Sequence, residues 1–150
     1  MRIAIGCDEA AYDLKNIIIK HLEAKGIEVK DFGSLKDESV LYPDVAYSVA
    51  SEVAEGAFER GVLLCGTGIG MAITANKVPG IRAAVCHDPY STERSRKSNN
   101  CQIMTMGARV VAPELATYLL DIWLESDFSG GGSQAKVDRI TELENLKSKK

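Results

Sequence analysis

Two short stretches hold the residue types that acid–base or nucleophilic chemistry needs: Gly6-Cys7-Asp8-Glu9 near the start, and Cys65-Gly66-Thr67-Gly68-Ile69-Gly70 in the middle of the chain. In the second, Gly66, Gly68 and Gly70 permit a tight turn whose backbone N–H groups converge on one concavity, the construction of an anion site. Thiols at the start of a helix face the positive end of its dipole, an environment that favours thiolate, so Cys65 is the candidate base or nucleophile. The same glycines also serve tight strand-to-helix packing, and the turn alone does not decide between the two. Cys7, Cys86 and Cys101 read as small buried apolar residues. Asp8 and Glu9, otherwise ordinary loop acids, become candidates for binding substrate hydroxyls if both stretches face one crevice.

Both stretches follow a predicted strand. Short β-branched runs alternate with longer segments of helical period, the pattern of βαβ units and a parallel sheet covered on both faces. Five strands are predicted: Ile3 to Gly6, Ile27 to Phe32, Gly61 to Cys65, Ile81 to Cys86 and Ile103 to Met106. The first, third and fourth are nearly continuous apolar runs, as in strands buried on both faces. Leu14, Ile17, Ile18, His21 and Leu22 form the stripe of a first helix that stops at Gly26. Pro43-Asp44 opens a second, carrying Val45, Val49 and Val53, and Asp88-Pro89 and Ala112-Pro113-Glu114 repeat the start signal. Leu115, Tyr118, Leu119, Ile122 and Trp123 read as core. Residues 126–133, with three consecutive glycines, predict a flexible turn, and 134–150 a C-terminal helix with Val137, Ile140, Leu143 and Leu146 above a charged face. The expectation is one doubly wound, Rossmann-like α/β domain over residues 1–150, its five-stranded parallel sheet in the flavodoxin-type order 2-1-3-4-5. There the chain reverses direction between strands 1 and 3, and both stretches line the crevice at the strands' carboxyl ends.

Composition narrows the function classes. The 150 residues are 45% apolar and 26% charged, enough for an ordinary core without disulfides or a structural metal. With 18 basic against 21 acidic residues there is no basic excess, so nucleic acid is not an expected partner. Apolar runs are strand-sized, against roughly 20 residues for a membrane span, so no membrane partner is expected either. The N-terminus runs directly into a core strand with no signal-peptide pattern, which predicts a cytoplasmic protein. There is no CxxC pair, and His21 and His87 are the only histidines, so zinc-ligand spacing is absent. A metal site of Asp and Glu stays open without a motif to support it, and the expectation is no metal and no cofactor. A phosphoacceptor receiver domain would need an aspartate after strand 3, where Cys65 stands. A thiol phosphatase would need an arginine six positions later, where Met71 stands, and a dinucleotide module would carry its glycines after strand 1. A sugar-phosphate binding domain without catalysis remains open.

Five segments together resemble a known family: Gly6-Cys7-Asp8, Tyr42-Pro43, Cys65-Gly66-Thr67-Gly68-Ile69-Gly70, the run Ala75 to Ala83 (ANKVPGIRA), and Gly107-Ala108-Arg109-Val110-Val111. They are similar to ribose-5-phosphate isomerase B and the related galactose-6-phosphate isomerases, over nearly the whole chain. The resemblance implies a metal-independent aldose–ketose isomerase of a small phosphosugar, working through a cis-enediolate as a homodimer with shared active sites, with a tetramer also possible. Cys65 matches the base that moves a proton between C1 and C2, and Thr67 the hydroxyl that relays one between O1 and O2. Asp8 and Tyr42 match sugar-binding positions. Asn99 matches a contact to the enediolate and Arg109 a phosphate ligand, the last two implied to reach across the dimer.

The chain also departs from that pattern. Asp8-Glu9 stands where the family has Asp-His, and Ser98-Asn99 where it has His-Asn, the histidine associated with opening the furanose ring. Gly131-Gly132-Ser133 and Lys136 stand where the family has two phosphate-binding arginines, and a lysine offers a point charge without the bidentate fork. Serine is a poor acid–base group at neutral pH. A tetrose 4-phosphate carries its phosphate on the hydroxyl that would close a furanose, so it stays open-chain and needs no such group. Ser98-Asn99-Asn100 and the run from Thr105 to Val110 also look similar to the branch that isomerises erythrulose 4-phosphate, which keeps ribose 5-phosphate, a tetrose phosphate and a hexose 6-phosphate all in view.

Overall fold

Five strands, β1 (Arg2–Cys7), β2 (Glu28–Asp31), β3 (Arg60–Cys65), β4 (Ala83–Val85) and β5 (Ile103–Gly107), form one parallel sheet in the computed structural model, which describes residues 1–147. Their order is β2-β1-β3-β5-β4. The reversal between β1 and β3 is the expected one, but the last two strands exchange places relative to the expected order. The reason lies in their side chains. β5 brings Ile103, Met104 and Met106, all fully buried, whereas β4 is three residues of small side chain and only half-buried. The strand with more apolar area takes the inner position. The reading of Ile81 to Cys86 as a strand buried on both faces is corrected accordingly: burial there is confined to the flanking Ile81 and Cys86.

Among the described residues there are six α-helices: α1 (Tyr12–Ala24), α2 (Tyr42–Ala54), α3 (Ile69–Ala75), α4 (Pro89–Lys97), α5 (Pro113–Glu125) and α6 (Gln134–Lys147). Strand alternation divides the core in two. Ile3, Ile5, Val62, Leu64, Met104 and Met106 pack on one face against the α1 and α5 stripes around Trp123. Ala4, Leu63, Cys65 and Ile103 turn to the opposite face, toward α2 and α3. The α5 stripe is Ala116, Leu119, Leu120 and Trp123, at helical spacing. Leu115 and Tyr118, expected in the core, lie on the exposed side of that helix. On α6 Val137 is buried, while Ile140, Leu143 and Leu146 are exposed. In the segment before α6, Ser126 is buried, and its carbonyl accepts from Arg60 at 3.2 Å and Arg96 at 3.3 Å. Gly131–Ser133 forms a single 3-10 turn. The last three residues of the expected terminal helix, 148–150, lie outside the described residues.

Lys15 is wholly buried although its stem sits on an amphipathic helix. Its Nζ donates to both Asp31 carboxylate oxygens at 2.8 Å and to the Ser34 carbonyl at 2.6 Å, tying α1 to the end of β2 and to the loop that leads into Tyr42. Lys15→Leu strands a carboxylate and a buried carbonyl. The expected cost is about 2–3 kcal/mol, below that of breaking a fully buried pair because Asp31 keeps some water, read from urea unfolding; a variant as stable as the parent would show the ion pair contributes nothing.

Candidate active site

Pairing register sets the site's level. Cys7 lies beside Leu64 and Cys65 beside Gly107, so the chain leaves β1, β3 and β5 side by side. After β1, Asp8 is extended, and its carboxylate accepts from the Ala10 N–H at 3.0 Å, capping the 3-10 turn Glu9–Ala11. After β3 the chain turns through Gly66-Thr67-Gly68 into α3. Gly68 has a left-handed φ of 75°, and a Cβ there would lie 2.9 Å from the Met106 backbone, so only glycine fits.

That turn aims the Gly68 N–H at the Cys65 sulfur, 3.0 Å away. The Ile69 N–H donates to Thr67 Oγ1 at 3.3 Å. Two of the amides expected to serve an anion are therefore directed at the thiol and hydroxyl of the loop itself. Amide donors bind a charged acceptor roughly twice as strongly as a neutral one, so this contact strengthens whenever the sulfur carries charge.

Two further side chains are brought in by absent ones. A Cβ on Gly70 would lie 2.5 Å from the Tyr42 ring, and one on Gly66 would lie 3.1 Å from the Arg109 guanidinium. Glycine at these positions lets the phenol rest against the start of α3 and the guanidinium fold over the loop. The β5–α5 turn is docked there by Ala108 N–H to Cys65 O at 2.8 Å and Arg109 N–H to Gly66 O at 3.1 Å.

The result is a cavity of about 400 Å³ lined by Asp8, Tyr42, Cys65, Thr67 and Arg109, with Gly66 and Gly70 in its wall. Cys65 is 5% exposed and borders the cavity, while it packs on the α2–α3 face. Burial pushes the Asp8 carboxyl above the ordinary carboxylate range, and the Ala10 N–H and Arg109 offset part of that. One partly desolvated carboxylate thus shares the cavity with one guanidinium, a thiol and two hydroxyls, a set suited to proton transfer on a small anionic polyol.

Not every predicted residue arrives. Gly68 lies behind the cavity wall. Glu9 is exposed and borders a separate depression with Asp13 and Lys36. Ser98 caps the end of α4, and Asn99 borders a larger concavity of about 600 Å³ beside β4, with Arg82, Arg94 and Glu144. Lys136 is exposed on α6. Arg109, implied by resemblance to reach across a dimer, lies over Gly66 of its own chain. The sequence reading missed Ile69 and Ile73, exposed apolar residues of α3 that border the cavity. Nothing in their types distinguishes them from core residues.

The ribose/galactose isomerase family model matches residues 3–140. The chain is 62% identical to ribose-5-P isomerase B of Listeria innocua, over 96% of this chain and 97% of that one. It is 53% identical to D-erythrulose-4-phosphate isomerase of Pectobacterium atrosepticum, over 97% of this chain and 96% of that one. The solved structure of Clostridium thermocellum ribose-5-phosphate isomerase B superposes with a TM-score of 0.95 at 46% identity, covering 97% of this chain and 99% of that one. With matches of this extent in sequence and structure, and with the thiol loop and acidic turn meeting at one cavity, the chain belongs to the ribose/galactose isomerase family of sugar-phosphate isomerases.

Proposed function

We propose that the cavity interconverts the aldose and ketose forms of a small phosphosugar through a cis-enediolate, with Cys65 as the base. The observation that carries this is the Gly68 amide held 3.0 Å from the Cys65 sulfur, in a cavity shared with Asp8 and Arg109. Sulfur takes the proton from the carbon beside the carbonyl and returns it to the neighbouring carbon. The Thr67 hydroxyl relays the proton between the two oxygens, Asp8 and Tyr42 hold sugar hydroxyls, and Arg109 binds the phosphate. No step is assigned to a metal ion. Ser98, Asn99 and Lys136 stand outside their own chain's cavity, and a homodimer in which a second copy supplies them completes the site. A reducing cytoplasm suits an enzyme that works with a free thiol.

Ribose 5-phosphate to ribulose 5-phosphate is the first reading of the reaction, in line with the Listeria innocua relative's name. A second reading, an open-chain tetrose 4-phosphate, is favoured by where the two histidines go. His21 Nε2 is held by Asp121 at 2.7 Å, and His87 Nε2 accepts the Gly107 amide at 2.9 Å, so neither offers a ring-opening imidazole to the cavity. A relative named for erythrulose 4-phosphate accords with it. Turnover of ribose 5-phosphate, erythrose 4-phosphate and allose 6-phosphate under one set of conditions decides among them. Preference for the tetrose supports the second reading, preference for a ring-closed sugar removes it, and saturable binding without turnover of any of the three indicates a binding domain.

Cys65→Ala is expected to lower kcat by about 10³-fold or more while leaving the binding of an enediolate mimic intact. Mixing it with Asn99→Ala should restore part of the rate if sites are shared between copies; near-normal turnover by the Cys65 variant alone would remove the thiol from the mechanism.

Asp8 supplies a pH dependence. Its folded-state pKa is raised, so the carboxylate is lost, as pH falls, earlier than an ordinary aspartate at about 3.9 would lose it. The pH profile of kcat/KM should show an acid limb above that value, which Asp8→Asn removes along with much of the rate. An identical limb in the variant assigns it to another group.

A further inference from the structure

Gly107, the last residue of β5, donates its N–H to Nε2 of His87 at 2.9 Å. Edge strand β4 has already ended at Val85, and its last ladder contact is the Cys86 N–H to Thr105 O at 2.9 Å. A buried amide needs an acceptor, and here an imidazole supplies it where strand pairing has stopped. Nε2 accepts only without a proton, so the ring is neutral with its hydrogen on Nδ1. Burial pushes its pKa below the ordinary histidine value, while Asp88 beside it pulls the other way.

What this bond anchors is the wall of the cavity. A Cβ on Gly107 would lie 2.6 Å from Thr67 Cα and 2.7 Å from Gly66 O, so its backbone is pressed directly on the loop that holds Cys65. The Val110 and Val111 N–H groups close back on Gly107 O at 2.9 and 3.0 Å. Between them, Ala108 and Arg109 dock on Cys65 O and Gly66 O. Gly107 is therefore the pivot of the turn that carries Arg109.

We propose that His87 is a positioning residue for the isomerisation: its neutral imidazole pins Gly107 against the Cys65–Thr67 loop and thereby sets where the Arg109 guanidinium stands. The proposal rests on the reading of Arg109 as the phosphate ligand. Protonation would turn Nε2 into a donor facing another donor and release the pin. The charged and titratable groups on the elements concerned are Asp88 in the histidine's own loop, Arg109 on the anchored turn and Cys65 on the loop beyond. Because Arg109 binds substrate in both ground and transition states, loss of the pin falls on KM more than on kcat.

His87→Leu keeps bulk without an acceptor, and His87→Gln supplies a non-titrating one. His87→Leu should raise KM for the phosphosugar about tenfold, with kcat changed less, the loss of one hydrogen bond to a positioned group. His87→Gln should restore KM and erase the acid limb of kcat/KM that lies below the ordinary histidine value, leaving the limb of Asp8. Amide exchange of Gly107 without substrate gives a readout independent of turnover: slow in the parent and the glutamine variant, fast in the leucine variant. Unchanged KM and unchanged Gly107 exchange in His87→Leu, or equal impairment in both variants, overturns the proposal. If the leucine variant does not fold, an unaltered limb in His87→Gln overturns it instead. If the parent turns over no phosphosugar, the isomerase reading fails, while Gly107 exchange still decides whether the pin exists.

Discussion

A single amide directed at a single sulfur governs the construction of this molecule. The Gly68 N–H reaches Cys65 only because Gly68 adopts a left-handed backbone pressed against Met106. That contact requires β5 to lie beside β3 in the inner sheet, which the exchange of the last two strands provides. A sheet ending in the order expected from flavodoxin-like proteins would put the short, half-buried β4 there instead.

Strand alternation does the rest of the placing. Leu64 faces Trp123 and the α1–α5 side, so Cys65 must face α2 and α3. The helix opening at Tyr42 then delivers its first residue against Gly70 in the wall of the same cavity, after a loop that Lys15 ties to α1. Asp8 enters from β1 at the same level because Cys7 is in register with Leu64. Four segments distant in sequence meet with no long-range side-chain pairing among the cavity residues; backbone register and glycine clearance bring them together.

Much of this was legible in the residue pattern, for identifiable reasons. The five strands and their helices follow from apolar periodicity and proline or glycine punctuation, and the meeting of Asp8 with Cys65 follows from the reversal between strands 1 and 3. The strand order beyond that point was not, because Ile81-Arg82-Ala83-Ala84-Val85-Cys86 looks as apolar as Ile103-Met104-Thr105-Met106, and only volume separates them. Leu115 and Tyr118 misled because a stripe shifted by one position along α5 satisfies the same spacing. Arg109 folds over its own loop, a placement that depends on Gly66 having no side chain. His87 carried no signal, since its partner is a backbone amide 20 positions away.

The clearance between Gly70 and Tyr42 has an evolutionary corollary. A methyl group at residue 70 and an aromatic ring at residue 42 would compete for one volume, 2.5 Å apart. Residue 70 cannot enlarge while residue 42 stays aromatic, so the two positions are epistatic even though separated by the rest of α2, the whole of β3 and the thiol loop. A lineage that enlarges residue 70 must therefore shrink residue 42 first, or carry a fitness penalty until it does.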